Sequence, residues 1–282
     1  MGNKNKTIAL GIITAIAAIA LIACIVAVVT NRSSDDDAEA LGEPDTAVSG
    51  SESTEQSGNS ENGDQEATVI SDALGRRVLD YGDVGKPLTK QSNDAPDLCS
   101  EKEKTRAPEG LEIQQVGGVA TVWSSSDGPT DTSPAGTPKN HARTVAGAAL
   151  AAMNFMALST AHDAQAGEVM KNDFYWGPEM QGKIDEALNS AQQQNNTPGK
   201  PIDIPAVAAH KVVNCSDDQL VIDLAQPRTA DDQGKKTATF YQVVRVPVMW
   251  KDGQWKLNAL DPNDPFRETV DALDGSWAEW KF

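Results

Sequence analysis

An uncharged segment near the N-terminus limits what this chain can fold into more than any other feature. Residues 7–29 contain no charged side chain and follow closely after Lys4 and Lys6. An α-helix rises ~1.5 Å per residue, so this segment would extend about 34 Å and cross a hydrocarbon core of ~30 Å. We predict a single transmembrane helix over residues 7–29, with residues 1–6 in the cytoplasm and the rest outside, because positive charges favour the cytoplasmic side.

Two other anchors compete with a retained transmembrane helix. Cleavable signal peptides have apolar cores of about 7–15 residues, and this segment is longer. The sequence from Leu21 to Cys24 resembles a bacterial lipobox, in which Cys24 would be lipidated. In lipoproteins of that kind the chain turns polar after the cysteine, whereas residues 25–29 here are apolar. A retained helix is therefore favoured, with lipidation of Cys24 as the alternative, and both anchors leave the domain outside.

Small residues four positions apart recur within this segment. The pairs are Gly11 with Ala15, Ala20 with Cys24, and Ala23 with Ala27. Such spacing lets two membrane helices approach closely, so the sequence allows a homo-oligomer. The same spacing arises by chance in an alanine-rich helix.

Residues 30–67 are predicted to form a disordered acidic linker. From Asn31 to Glu66 there are 11 acidic residues and one basic residue, Arg32, which accounts for −10 of the formal net charge of −17. Few large apolar side chains interrupt this run, so the segment cannot bury a core of its own. An acidic chain is also poorly suited to binding nucleic acid or anionic lipid head groups through charge, and we expect no nucleic-acid partner.

The remaining residues predict one extracytoplasmic domain of the α+β class. Residues 68–106 form a transitional segment, in which Ile70, Leu74, Val78 and Leu79 have the spacing of a short helix that nearby glycines and Pro87 interrupt. Residues 107–282 are long enough for one core of ordinary size, and we expect helices packed on a curved antiparallel sheet.

Three segments of this domain have helical patterns. Ala142–Ala161 is apolar nearly all round, which is typical of a buried helix, and Glu179–Gln193 is more polar and predicts an exposed one. Apolar residues near the C-terminus recur at spacings of three and four, which predicts an amphipathic helix closing over the core; they are Phe266, Val270, Leu273, Trp277 and Trp280. The alternative is that Trp277 and Trp280 form an exposed surface for a partner.

The strands of the domain are predicted from alternation and turn residues. Leu111–Trp123 is extended with a bend at Gly117-Gly118, and residues 207–213 are expected to pair with the alternating apolar residues at 220–224. Thr237–Trp250 is a long strand, and Asp252-Gly253 after it is a preferred two-residue hairpin loop. In that register Trp250 faces Trp255, Val248 faces Leu257 and Val246 faces Ala259.

This order of a buried alanine-rich helix followed by an antiparallel meander resembles the nuclear-transport-factor-like (cystatin-like) cone fold. The stretch from Pro108 through Gly128-Pro129, His141 and residues 147–152 to Trp250–Leu257 also resembles an uncharacterised extracytoplasmic domain of actinobacterial single-span proteins. Such proteins often accompany conjugative or integrative elements. The resemblance implies an accessory role in a conjugation or type IV secretion-like envelope assembly, with protein partners in the envelope.

The sequence contains no catalytic signature that we could identify. We find no His-Glu-x-x-His, Gly-x-Ser-x-Gly or Cys-x-x-Cys motif and no phosphate-binding glycine loop. His141, His162 and His210 stand apart, with structural hydrogen bonding the expected role of His141. We therefore predict a protein that is not an enzyme and has no cofactor or metal.

A small-molecule-binding or isomerase-like domain is the alternative, since isomerases with a cone fold use an aspartate inside a cavity. Asp223, however, alternates with the core-facing residues of its strand and is predicted to point away from the core.

Cys99 and Cys215 are the two cysteines expected outside the membrane. An oxidising exterior permits a disulfide between them, and an even pair in an exported domain is its usual sign. The alternative is two unpaired buried thiols. A bridge would attach the transitional segment to the strand region.

Overall fold

The computed structural model of the protein describes eight stretches of the chain: residues 67–88, 96–161, 163–178, 180, 182–184, 206–230, 235–259 and 267–282. The described stretches do not include the predicted transmembrane helix, the predicted linker before residue 67, most of Glu179–Gln193, or His162. Within these stretches no helix is long and apolar enough to span a bilayer.

The described residues form an α+β domain that is mostly sheet. The helices are α1 (Glu101–Lys104), α2 (Val145–Leu158) and α3 (Asp163–Asn172). The strands are β1 (Thr68–Ser71), β2 (Arg77–Asp80), β3 (Leu111–Val116), β4 (Val119–Ser124), β5 (Asp131–Thr132), β6 (Pro138–Lys139), β7 (Phe174–Tyr175), β8 (Ala209–Cys215), β9 (Gln219–Ala230), β10 (Lys236–Lys251), β11 (Gln254–Asn258), β12 (Arg267–Val270) and β13 (Ala278–Glu279).

The predicted buried helix is α2, and it contacts both large sheets. All of its residues except Met156 are buried. It begins at Thr144, whose side chain accepts a hydrogen bond from the Gly147 amide, as an N-cap does. One face packs on β4, and other residues contact β9, β10 and β11. A helix that is apolar all round can be buried on every side, which explains its place between two sheets.

The transitional segment forms strands rather than the short helix that its spacing predicts. β1 and β2 pair antiparallel, β2 pairs parallel with β3, and β3 pairs with β4, giving the sheet order β1-β2-β3-β4. Val78 and Leu79 are adjacent, so they point to opposite faces of the sheet, and both are buried. The spacing of apolar residues in this segment resembles that of a helix because the strand β2 is buried on both faces of the sheet.

A loop covers the face of this sheet that carries Gln114 and Trp123. The Gln114 side-chain amide donates to the Lys86 carbonyl at 2.8 Å and accepts from the Lys86 amide at 2.7 Å. Gly85 lies so close to the Trp123 ring that a Cβ atom at Gly85 would fall 2.0 Å from it. Glycine is therefore required where this loop crosses the indole.

The second sheet contains the predicted meander and has the order β13-β8-β9-β10-β11-β7, with β12 also paired to β10. The predicted hairpin register is confirmed, since Trp250 lies opposite Trp255 and Val248 opposite Leu257. The two indole rings meet edge to face with centroids 5.2 Å apart. The structure thus has two sheets around α2, where the sequence analysis expected helices on one curved sheet.

Pro247 lies inside β10 without removing a hydrogen bond from the sheet. The Trp250 amide donates to Asp218 on the β9 side, so amides at even positions of β10 point towards β9. The nitrogen of Pro247 points the other way, between the stretch 248–251 that pairs with β11 and the stretch 241–244 that pairs with β12. This gap accommodates a residue without an N–H.

The predicted amphipathic helix at the C-terminus is wrong. The chain forms β12, a turn in which the Trp277 amide donates to the Asp274 carbonyl, and β13. β13 pairs with β8, and the Trp280 amide donates to the Ala208 carbonyl at 2.7 Å. Pairing with a strand about 70 residues earlier in sequence therefore overrides the local helical spacing.

Two glycines allow a matched test of the Asp252-Gly253 turn. Gly253 has φ +79°, Gly275 has no positive φ, and a Cβ at either position would meet open space. We expect Gly253→Ala to lower the free energy of unfolding by roughly 1–2 kcal/mol, because a left-handed backbone is strained for alanine. Gly275→Ala should be neutral or slightly stabilising. Urea denaturation measures both variants, and equal effects would contradict the turn assignment.

Candidate functional site

A disulfide joins Cys99, just before α1, to Cys215 at the end of β8. The two Cα atoms are 5.6 Å apart, and the bridge closes a loop with a sequence separation of 116 residues. In the chain-entropy description a loop of this length stabilises the folded state by up to about 4.7 kcal/mol. The bridge attaches the segment before β3 to the second sheet.

Arg106, which follows α1 and is half-buried, forms an ion pair with the buried Asp127. The guanidinium donates through Nη2 to Oδ1 at 2.6 Å and through Nη1 to Oδ2 at 2.9 Å. Arg106 also contacts Glu103 through Nε at 3.2 Å. Hydrogen bonding to Asp127 raises the pKa of Arg106, so this cation stays charged at every physiological pH.

Asp127 has no remaining capacity to accept a hydrogen bond. Its Oδ2 also accepts from the Ser126 hydroxyl at 2.5 Å, and its Oδ1 also accepts from the Thr144 hydroxyl at 2.6 Å. Burial alone would raise the pKa of Asp127, but the hydrogen bonds from Arg106, Ser126 and Thr144 outweigh it and lower the pKa. Each oxygen of this carboxylate accepts two hydrogen bonds, and its pKa is lowered. Such a group is unsuited to proton transfer and suited to a structural role.

His141 has the structural role that the sequence predicts. Its Nε2 lies 3.2 Å from Nδ2 of Asn154 on α2, and its ring packs edge to face on Phe155. The Asn154 amide also accepts from the Val122 amide at 2.7 Å and donates to the Val122 carbonyl at 2.9 Å. Burial, together with the charge of Lys139, lowers the pKa of His141 to about 3, so the ring is neutral.

His210 is buried on β8 and binds Trp280. The indole Nε1 donates to Nδ1 of His210 at 2.9 Å, which places the imidazole proton on Nε2. That Nε2 atom is buried and has no partner among the described residues. Burial lowers the pKa of His210 to about 4, and the nearby Arg106 charge also lowers it while the Asp127 charge opposes the shift.

Trp280 is not part of an exposed partner surface. Only 6% of the residue is exposed, because the indole packs in the core and donates to His210. Trp277 is half-buried, and the Lys211 ammonium lies 5.8 Å from its ring centroid. The alternative prediction, in which Trp277 and Trp280 together form an exposed surface for a partner, is therefore wrong for Trp280.

A second polar cluster lies where the β5-β6 ribbon meets α3. Lys139 Nζ is 2.5 Å from Oδ2 of Asp173 and 3.5 Å from Oε1 of Glu168. The Ser133 and Thr137 hydroxyls donate to Glu168 at 2.8 and 3.1 Å. Oδ1 of Asp173 is buried without a partner among the described residues, and burial raises the pKa of Asp173 to about 6 despite the Lys139 charge.

Asp223 is buried, which the sequence analysis did not expect. It is 5% exposed and accepts two hydrogen bonds from Arg245, directly opposite on β10, at 2.7 and 2.8 Å. Its strand position puts it on the face away from Leu220 and Leu224, as predicted, but that face is also buried at Ala225 and Val243. The carboxylate is held in a cross-strand ion pair.

The chemistry of these clusters favours a structural role. Within the described stretches no group of three His, Cys, Asp or Glu residues is arranged to hold a metal ion. Asp127 and Asp223 are engaged by arginines, and His141 and His210 are held neutral by burial. Among the described groups, only Asp173 combines burial, an unpartnered oxygen and a raised pKa. Apart from His141, the sequence context did not reveal the contacts of these residues, since most of their partners are 13 to 70 positions away.

Comparison with known proteins gives one match. A family model described as a domain of unknown function (DUF8175) matches residues 82–279. Neither a curated protein nor a solved structure matches the chain. The matched range begins after β2 and contains the disulfide, both polar clusters and α2.

The Arg106–Asp127 pair has a matched exposed counterpart in Arg143–Asp218. Both pairs have an N–O distance of 2.6 Å, but the Asp127 side chain is 1% exposed and that of Asp218 is 64% exposed. We expect Asp127→Asn to cost about 3 kcal/mol, because it removes the buried charge that pairs with Arg106 and leaves the partly buried guanidinium only its contact with Glu103. Asp218→Asn should cost at most ~1 kcal/mol. Urea denaturation of both variants would contradict this ranking if the two losses were equal.

The raised pKa of Asp173 implies that the stability of the domain depends on pH, with a definite sign. Its pKa in the folded protein, about 6, exceeds the ordinary value of 3.8, so the folded state binds a proton first as the pH falls. Wild type should therefore gain up to ~3 kcal/mol over Asp173→Asn between pH 7 and pH 4, with the gain lost again as the pH rises through 6. Denaturant unfolding at both pH values measures it. A difference that is constant with pH would contradict the raised pKa.

Proposed function

The chain belongs to the DUF8175 family, and we propose that it is a membrane-anchored extracytoplasmic protein that acts by binding other envelope proteins. The observation that carries the proposal is the disulfide between Cys99 and Cys215. Structural disulfides persist in oxidising compartments and are rare in the cytosol. The bridge therefore supports the topology predicted from the uncharged segment at residues 7–29 and the lysines before it.

The buried polar groups support binding rather than catalysis. Asp127 accepts four hydrogen bonds, and His141 and His210 are neutral inside the domain. These groups hold elements together and are not poised to react with a substrate. We extend the proposal to an accessory role in a conjugation or type IV secretion-like assembly, which rests on the resemblance to actinobacterial single-span proteins and, for the fold, to the cone-fold class.

A small-molecule or isomerase-like role is the second candidate, and Asp173 is the observation in its favour. Burial raises the pKa of its carboxyl to about 6, near the range in which a general base works well. Against this role, Lys139 holds Oδ2, and Glu168 is tied to Ser133 and Thr137. These contacts are those expected of a cluster that fastens the β5-β6 ribbon to α3.

Protease treatment of intact spheroplasts tests the topology. The protease should remove residues 31–282 and leave a short membrane fragment, because the linker and domain are outside. A cytoplasmic protein made in the same cells serves as the control and should stay intact. Full protection of the domain in spheroplasts, followed by digestion after lysis, would overturn the proposed location.

A thiol measurement on the same material tests the compartment separately. The protein is denatured in an alkylating reagent without reductant, so that only free thiols are labelled. Cys99 and Cys215 should be unlabelled before reduction and labelled after it. Labelling of both cysteines without reduction would remove the observation on which the proposal rests.

A further inference from the structure

β1 is an edge strand that leaves apolar side chains in solvent. All four of its residues, Thr68–Ser71, are exposed, with Val69 at 58% and Ile70 at 39%. It pairs with β2 on one side, and no other described strand pairs with it. Ile70 continues an apolar row, since it lies opposite Val78, which lies opposite Ile113. A further strand at this edge would extend the apolar row of Ile70, Val78 and Ile113, whose last two members are buried in the core.

The backbone groups that face away from β2 can be identified. The Asp72 amide donates to the Arg76 carbonyl at 3.0 Å, so Asp72 points towards β2. Because backbone groups alternate along a strand, Ile70 also points towards β2, whereas Val69 and Ser71 point outward. The free edge therefore presents one N–H and one C=O from each of Val69 and Ser71.

The opposite edge of the same sheet is closed, which makes the open edge at β1 notable. At β4, the Asn154 side chain satisfies both the N–H and the C=O of Val122. β1 has neither such a partner among the described residues nor the charges, prolines or bulges that usually protect edge strands. Its sequence, Thr-Val-Ile-Ser, is uncharged and rich in β-branched residues, which favour strand pairing.

We propose that β1 pairs antiparallel with β1 of a second copy of this chain, around a two-fold axis at Ile70. In a two-fold antiparallel pair the axis is perpendicular to the sheet, so opposing residues share a face. Centring on Ile70 places Val69 opposite Ser71 of the partner, and their outward groups form four hydrogen bonds. It also brings the two Ile70 side chains together at the closer, non-hydrogen-bonded spacing.

A second copy suits this edge better than an unrelated protein. The uncharged strand is complementary to itself, and no like charges oppose each other within it. β1 is also the first described strand after the linker, so two chains anchored side by side would bring these strands together first. This part of the argument rests on the proposed membrane anchor, within which the small-residue pairs would let two helices approach.

The contact between two β1 strands is too small to hold a dimer together in solution. Four residues a side bury far less than the ~800 Å² per partner of a stable interface. Such a contact is weak between free molecules, but confinement of both copies to one membrane through the proposed anchors raises their local concentration. The dimer is therefore a property of the full chain in its membrane.

Cysteine cross-linking of the full chain in native membranes tests the proposal. Cys24→Ala removes the remaining native thiol, and Ile70→Cys, Val69→Cys or Val213→Cys is then added and oxidised. Val213, on β8, is 43% exposed and controls for random collision. Ile70→Cys should give a homodimer in high yield, several-fold above the other two. An Ile70→Cys yield no higher than that of Val69→Cys or Val213→Cys, or a product containing another protein, would overturn the proposal.

A second variant shows whether the edge itself makes the contact. Val69→Lys places a charge beside the axis, whereas Val213→Lys is the same change on the other sheet. In the Ile70→Cys background, Val69→Lys should lower the cross-linked fraction about fivefold while the melting temperature is unchanged. An unchanged fraction would overturn the proposal. The chain's sedimentation with membranes is scored separately, so a lost anchor is distinguished from a lost dimer.

Discussion

The carboxylate of Asp127 is the interaction on which the rest of the domain depends. It binds Arg106 after α1 and Thr144 at the N-cap of α2, and it lies in the loop that follows β4. A negative charge at that end of α2 also complements the helix dipole. With the disulfide from Cys99 to β8, one network ties the first sheet, the second sheet and the central helix together.

Two side-chain amides in this domain form the hydrogen bonds with backbone groups that a neighbouring strand would otherwise form. Asn154 pairs with both backbone groups of Val122 at the β4 edge, and Gln114 pairs with both backbone groups of Lys86 in the covering loop. Each amide offers a donor and an acceptor at the spacing of a peptide group. Buried backbone groups must be satisfied, so these two residues let a short sheet be enclosed by a helix and a loop.

The elements that could be predicted from the sequence are those whose determinants are local. The hairpin of Trp250 and Trp255 was predictable because the alternation and the Asp252-Gly253 turn lie within six residues. The C-terminal strand could not be predicted, because the partners of Trp280 are His210 and Ala208, which no local spacing reveals. Cys99 and Cys215 could be proposed as a pair from their number alone, whereas Asp127 resembles any other aspartate in the sequence.

The bridge at Cys99 also limits how far the strands before it can separate from the rest of the domain. In the membrane-anchored arrangement that we propose, tension on the chain before β1 would act first on β1. That strand is held by the β1-β2 ladder, by the parallel contact of β2 with β3 and by the Arg76 side chain, which donates to the Ala206 carbonyl. Hairpin ladders open one pair at a time when pulled from an end. Opening would have to stop at Cys99, because the disulfide fixes that residue to β8. The part beyond it holds Asp127, α2 and the second sheet, so the domain can lose its entry strands and keep its central network.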